Sequence, residues 1–227
     1  MAGGVVAVVV DGEAAPRAVT VLTGLLALLV VLGGRWVDWL DTAVHEGGHA
    51  FAAYLAGRRV VGVWMAPSGA GLTATWGRHR GFGLFLTGVA GYTGPPLAGV
   101  CSAALLAAGK ATAVLILAGL GFVALLLVTF GGFGRAVVLG MIGTLVLVGR
   151  FCPGWVQLWY ACFLTWLLLL SGPRSVLVMH RARRRGVSGS DADMLAEVTH
   201  LPAPLWVLAF GAFSLWCALR GAVLLVG

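Results

Sequence analysis

Thr42 to Gly57 reads TAVHEGGHAFAAYLAG, which sets His45, Glu46 and His49 at HExxH spacing inside an otherwise apolar segment. On a helix of 3.6 residues per turn, positions four apart fall ~40° apart around the axis, so both imidazoles face the same way. Two neutral imidazoles on one face suit a Zn²⁺ ion, and Glu46 between them is placed to take a proton from a metal-bound water. Ionisable side chains inside a membrane span are costly and are functional candidates for that reason. The plainer reading of the same residues is a pair of helix histidines hydrogen-bonded to neighbouring spans.

The elements that must position this motif follow from composition. The chain has 227 residues, 60% of them hydrophobic and 10% charged, with a mean hydropathy of +0.99. A soluble domain carries roughly a quarter charged residues, so most of this chain has lipid as its solvent. The expected fold is a single all-α polytopic membrane domain over residues 1–227, with about seven transmembrane helices and a small β-hairpin beside the motif helix. The spans are placed at residues 18–34, 38–57, 81–108, 111–130, 136–149, 155–171 and 201–219. A leader, residues 1–16, precedes them and lacks the basic start and small-residue cleavage site of a secretory signal. Residues 58–80 contain two β-prone runs around Pro67-Ser68-Gly69-Ala70-Gly71 and read as a hairpin. Its free edge is suited to pairing with an extended peptide. Residues 91–96, GYTGPP, are expected to interrupt the third span, either as a break lining a cavity or as a kink where small residues pack. Residues 172–200 form a basic loop, with Ser190 as the N-cap of a short helix that has acids in its first turn.

The net charge of +7 is a statement about topology and does not call for nucleic acid as a partner. With the N-terminus in the cytoplasm, Arg17, Arg58, Arg59, Arg78, Arg80, Arg135, Arg174, Arg181 and Arg183 to Arg185 share the inner side. Arg35, Lys110, Arg150 and Arg220 face out, eleven against four. His49 then lies ~12 Å below the cytoplasmic end of its helix, in reach of cytosolic water. The four cysteines show no CxxC spacing and suggest neither disulfides nor a thiolate site.

Catalytic zinc takes a third protein ligand and leaves a position open for water. Asp11 and Glu13 are in the leader, and Asp38 and Asp41 lie on the motif helix itself. Asp41, four residues before His45, is better suited to hydrogen-bond that imidazole from behind. Asp191, Asp193 and Glu197 remain, and Asp191 is the expected ligand with Asp193 as its substitute. For either to serve, this segment must dip into the bundle.

These landmarks give the chain a resemblance to the site-2 protease family of membrane-embedded zinc metalloproteases, in particular a compact bacterial branch. VHEGGHA in a span, the step Gly57 to Val60, the GAGLT turn, AGYTGP and SDADMLAEVT carry it. The resemblance implies hydrolysis of membrane-associated protein or peptide substrates in a bacterial plasma membrane. It implies zinc on His45, His49 and an Asp, with Glu46 as base. Two departures stand out: S-D-A-D in place of the family's L-D-G, and no Asn after the Gly-Pro pair or anywhere else. An inactive scaffold, or a zinc transporter or sensor, are the alternatives, the latter weakened by the scarcity of acids and histidines after residue 81. No feature of the sequence names a substrate, a regulatory partner or an oligomeric state.

Overall fold

A computed structural model describes residues 11–33 and 35–227; the expected leader up to residue 10 and Gly34 at the end of the first expected span lie outside the described residues. The chain is mostly helical: α1 (Arg17–Gly33), α2 (Arg35–Leu55), α3 (Phe82–Ala107), α4 (Ala111–Val128), α5 (Gly132–Phe151), α6 (Gly154–Arg184), α7 (Asp191–Thr199) and α8 (Ala203–Val226). Three short strands, β1 (Arg59–Met65), β2 (Gly71–Trp76) and β3 (Thr129–Phe130), form one sheet.

Helix α1 shows how the bundle is assembled. Thr20, Thr23, Ala27 and Val31 are buried at helical spacing, while Leu25, Leu29 and Leu32 point outward as lipid-facing side chains do. The Trp166 indole donates to the Thr20 carbonyl at 2.8 Å, tying α1 to α6. In the centre, Leu169 of α6 is wholly buried, and a Cβ on Gly99 (α3) or Gly221 (α8) would come within 2.9 or 2.4 Å of its Cδ atoms. One leucine thus fills the space left by two glycines, the small-residue contact by which helices associate in lipid.

Five helices, α3, α4, α5, α6 and α8, are each long and apolar enough to cross a membrane. The α1–α2 pair makes a sixth span if its two arms count as one bent crossing. Among the described residues the count is thus five, or six with the bent pair, where about seven were expected. The Gly12 N–H donates to the Gly109 carbonyl at 3.1 Å, the Thr112 N–H donates to Asp11 at 3.2 Å, and Arg17 donates to the Gly227 carbonyl at 2.7 Å. The start of the chain thus sits with the α3–α4 turn and the C-terminus, at the end of the bundle remote from the sheet. With the α1–α2 pair counted as one bent crossing, six crossings return the chain to the side it began on, in keeping with these contacts. Arg17 moves to the less basic side, and with Arg35 at the α1–α2 junction set aside the asymmetry becomes ten against four.

One further expectation is corrected, one of two alternatives is selected and one is borne out. GYTGPP does not break its span: α3 runs through Pro95 and Pro96, and Gly91, Pro95, Pro96 and Gly99 are buried contact positions. The segment from 172 is not all loop, since α6 continues to Arg184 with Pro173 inside it. The hairpin is present as expected, with Arg59 opposite Trp76 and Met65 opposite Gly71, and the edge it leaves free is that of β2. β3 pairs with β1 in parallel, Val63 to Thr129 and Trp64 to Phe130, giving the order β2-β1-β3. β2 is left as the long edge.

Candidate metal centre

His45, Glu46 and His49 lie on the part of α2 that packs against α3. The approach is close because both helices carry glycine there: a Cβ on Gly48 would fall 2.7 Å from the Ala90 carbonyl oxygen. A Cβ on Gly91 would fall 2.4 Å from His49 Nε2 and 2.6 Å from His45 Cε1. Glu46 and His49 are buried, at 5% and 7% exposed.

The third element is α7. Ser190 caps it as expected, and a capping box links Ser190 with Asp193. Asp191, the first residue of the helix, is turned towards α2. Its Oδ2 lies 3.2 Å from Nε2 of His45 and 3.2 Å from Nε2 of His49. The two Nε2 atoms are 3.1 Å apart. Among the described residues these three are the only group gathered closely enough to hold a metal ion. Ligand atoms ~2.1 Å from a tetrahedral zinc lie ~3.4 Å from one another. The observed triangle is nearly equilateral and close to that edge length, so the donor set fits the ion.

The surroundings favour the same use. The Thr87 carbonyl lies 2.7 Å from His49 Nδ1. A carbonyl can only accept, so Nδ1 carries the proton and Nε2 keeps its lone pair. The His45 ring meets His49 and Tyr92 edge-on, with centroids 4.7 and 4.6 Å away. Tyr92 in turn stacks on Phe210 of α8. Burial by itself would raise the Asp191 carboxyl; with the His45 and His49 rings protonated, and so donating from Nε2, their bonds outweigh this and hold it well below the usual carboxylate range. The neutral rings turn the same Nε2 lone pairs to a metal.

Glu46 points to the sheet. The Thr73 hydroxyl on β2 donates to its carboxylate and lies 3.1 Å from its backbone oxygen. A Cβ on Gly71 would fall 2.4 Å from Glu46 Oε1, so the strand backbone presses directly on this side chain.

The remaining candidates are placed elsewhere. Asp193 is held by Arg183, by the Ser190 hydroxyl and by the N–H groups of Gly189 and Ser190 at 3.1 and 2.9 Å. Arg183, more than any other neighbour, brings its carboxyl down to about 2. Among the described residues no hydrogen bond joins Asp41 to His45; Asp41 accepts from Ser175 of α6 instead. Thr87 was not singled out by the sequence, and Gly91 and Thr73 entered only as members of GYTGPP and GAGLT, with no part in the site assigned to them. Thr87 acts through its backbone and Gly91 through a missing side chain, so neither residue type signals its part. Thr73 shows only as a strand residue of the hairpin.

A mostly helical chain with several membrane-length spans and a half-buried His, His and Asp cluster has the form of a membrane-embedded metallopeptidase. The family model for Peptidase M50B-like proteins matches residues 18–221. The chain belongs to that family and with it to the site-2 proteases. Comparison with curated proteins and with solved structures returns no match.

Proposed function

We propose that this protein is an intramembrane zinc metallopeptidase that hydrolyses peptide bonds of membrane-associated substrates. The observation that carries the reading is the near-equilateral triangle of His45 Nε2, His49 Nε2 and Asp191 Oδ2, with Glu46 next to it in sequence and buried beside it. Zinc held there would polarise the scissile carbonyl and lower the pKa of its water to near neutrality. Glu46 accepts the proton on its carboxylate and passes it to the leaving amine nitrogen. Thr73 orients that carboxylate, and the Thr87 carbonyl keeps His49 in the tautomer that leaves Nε2 free. A helical substrate hides its carbonyls and must unwind locally; the outer edge of β2, whose inner side touches Glu46, offers backbone pairing to the extended form. We read the side with ten of the basic residues as the cytoplasmic one, which leaves the site open towards the cytosol of a bacterial plasma membrane. The N-terminus is then outside, instead of in the cytoplasm as expected from seven spans.

Purified protein is expected to contain about one zinc per chain. Glu46→Gln keeps the metal and loses peptide cleavage. Full cleavage by that variant excludes Glu46 as the base and removes this mechanism.

A further inference from the structure

Asp191 and Asp193 stand two residues apart on one helix, so their side chains point ~160° apart around its axis. The rotational setting of α7 therefore decides which acid faces His45 and His49. Residues 185–190 join α7 to α6 and contain Gly186 and Gly189 at positive φ (83° and 87°), a connection that imposes little direction of its own. Ala192 and Leu195 are wholly buried and seat the body of the helix, ~100° and ~40° around its axis from Asp191. They lie one and four residues beyond Asp191, and the first turn of a nine-residue helix frays readily.

What holds that first turn is Arg183. From the last turn of α6 its Nη1 donates to the Ser190 hydroxyl at 2.9 Å and to the Asp193 carboxylate. It spans the glycine-bearing link and grips both the N-cap and the third residue of α7. We propose that Arg183 is a positioning residue for the third metal ligand: by pinning Asp193 on the outer side of α7, it turns Asp191 inward onto the two histidines. The inference rests on the reading of His45, His49 and Asp191 as the metal set. It also gives the S-D-A-D sequence a physical sense. The first acid is offered to the metal and the second is the handle by which the first is aimed.

The test is zinc affinity, measured by chelator competition on the full-length protein in detergent, with the absorption spectrum of the Co²⁺-loaded protein as a report on ligand geometry. Arg183→Met is expected to weaken zinc binding by about 10- to 100-fold, the range for residues that orient a ligand. Arg183→Lys should recover part of the loss, because it keeps the charge without the planar fork. Asp193→Asn should weaken binding similarly, and the double variant with Arg183→Met should bind no worse than the weaker single. The Co²⁺ spectrum should shift in each weakened variant while the thermal midpoint of the metal-free protein stays close to that of the parent. If Arg183→Met fails to fold, Arg183→Lys and Asp193→Asn carry the comparison. Unchanged affinity in the variants that fold, or additive losses in the double variant, overturns the role of Arg183. A parent protein that binds no zinc, or a His45→Ala variant that binds it as the parent does, overturns the metal site itself.

Discussion

Gly91→Ala is the sharpest test of how the centre is built, because it adds one methyl group at a computable place. The new Cβ would stand 2.4 Å from His49 Nε2 and 2.6 Å from both His45 Cε1 and His49 Cε1. Non-bonded carbon contacts are comfortable at about 3.5 Å, so the rings must retreat by ~1 Å or α3 must move away from α2 by as much. Neither adjustment is easy, since His49 is held from behind by the Thr87 carbonyl and Gly48 is already against Ala90. Zinc–ligand distances tolerate only about 0.2 Å, and a ~1 Å displacement of two ligands is several times that. Zinc affinity should fall by at least about 100-fold, beyond the usual loss for an outer contact. The overpacking should also cost about 1–3 kcal/mol of stability. Gly94→Ala is the matched control: it lies on the same helix less than one turn away, and its nearest neighbour is the Gly48 Cα at 3.5 Å, an ordinary contact. The assay is zinc bound at equilibrium with a competing chelator, alongside thermal unfolding in detergent. A Gly91→Ala protein that binds zinc as tightly as the parent would refute the geometry from which the whole site is argued.

Two further expectations follow from separate parts of the molecule. Thr73→Val removes the hydroxyl that donates to Glu46 while keeping the strand; hydrogen bonds to charged groups contribute about 1.5–3 kcal/mol, so peptide cleavage should fall roughly 10- to 100-fold. Bound zinc should be unchanged, and a loss of zinc instead would show that Thr73 supports the fold rather than the base. Six crossings place both termini on one side of the membrane, so reporter domains fused to either end should give the same sidedness. Opposite signals would restore an odd number of crossings.

The motif and the capped α7 were legible in the sequence because both are local patterns. HExxH needs only the helical repeat to bring His45 and His49 together, and Ser190 followed by acids announces a helix start whatever surrounds it. Asp191 was the expected partner of the two histidines and is the acid found beside them, but the contact that holds Asp193 away was not legible, since Arg183 arrives from a different helix. The same limit explains β3. Thr129 and Phe130 close an apolar run and become a strand only because β1 lies alongside them. GYTGPP left two readings open, a break or a packing site, because proline and glycine weaken an isolated helix while small residues also let helices approach. In this bundle the same small residues let α2 and α6 press on α3, and that packing outweighs the lost hydrogen bonds.

The three members of the cluster are held by three different kinds of contact, and this bears on how a metal site survives in a membrane. His49 is fixed by a backbone carbonyl, which no substitution at Thr87 can remove without moving α3. His45 is fixed by aromatic faces, with Tyr92 backed by Phe210 of α8. Asp191 is fixed at the water-facing rim through a charged pair, the only one of these devices whose strength depends on solvent. The two histidines are set by the packing of α2, α3 and α8 and share their stability. Asp191 comes in on a short helix tied by glycines and one guanidinium. Asp191 already stands 3.2 Å from both imidazole nitrogens, so a metal bound there would meet a donor set in place, and its binding energy would fall mainly on the hold of α7, the most weakly tied of the three elements.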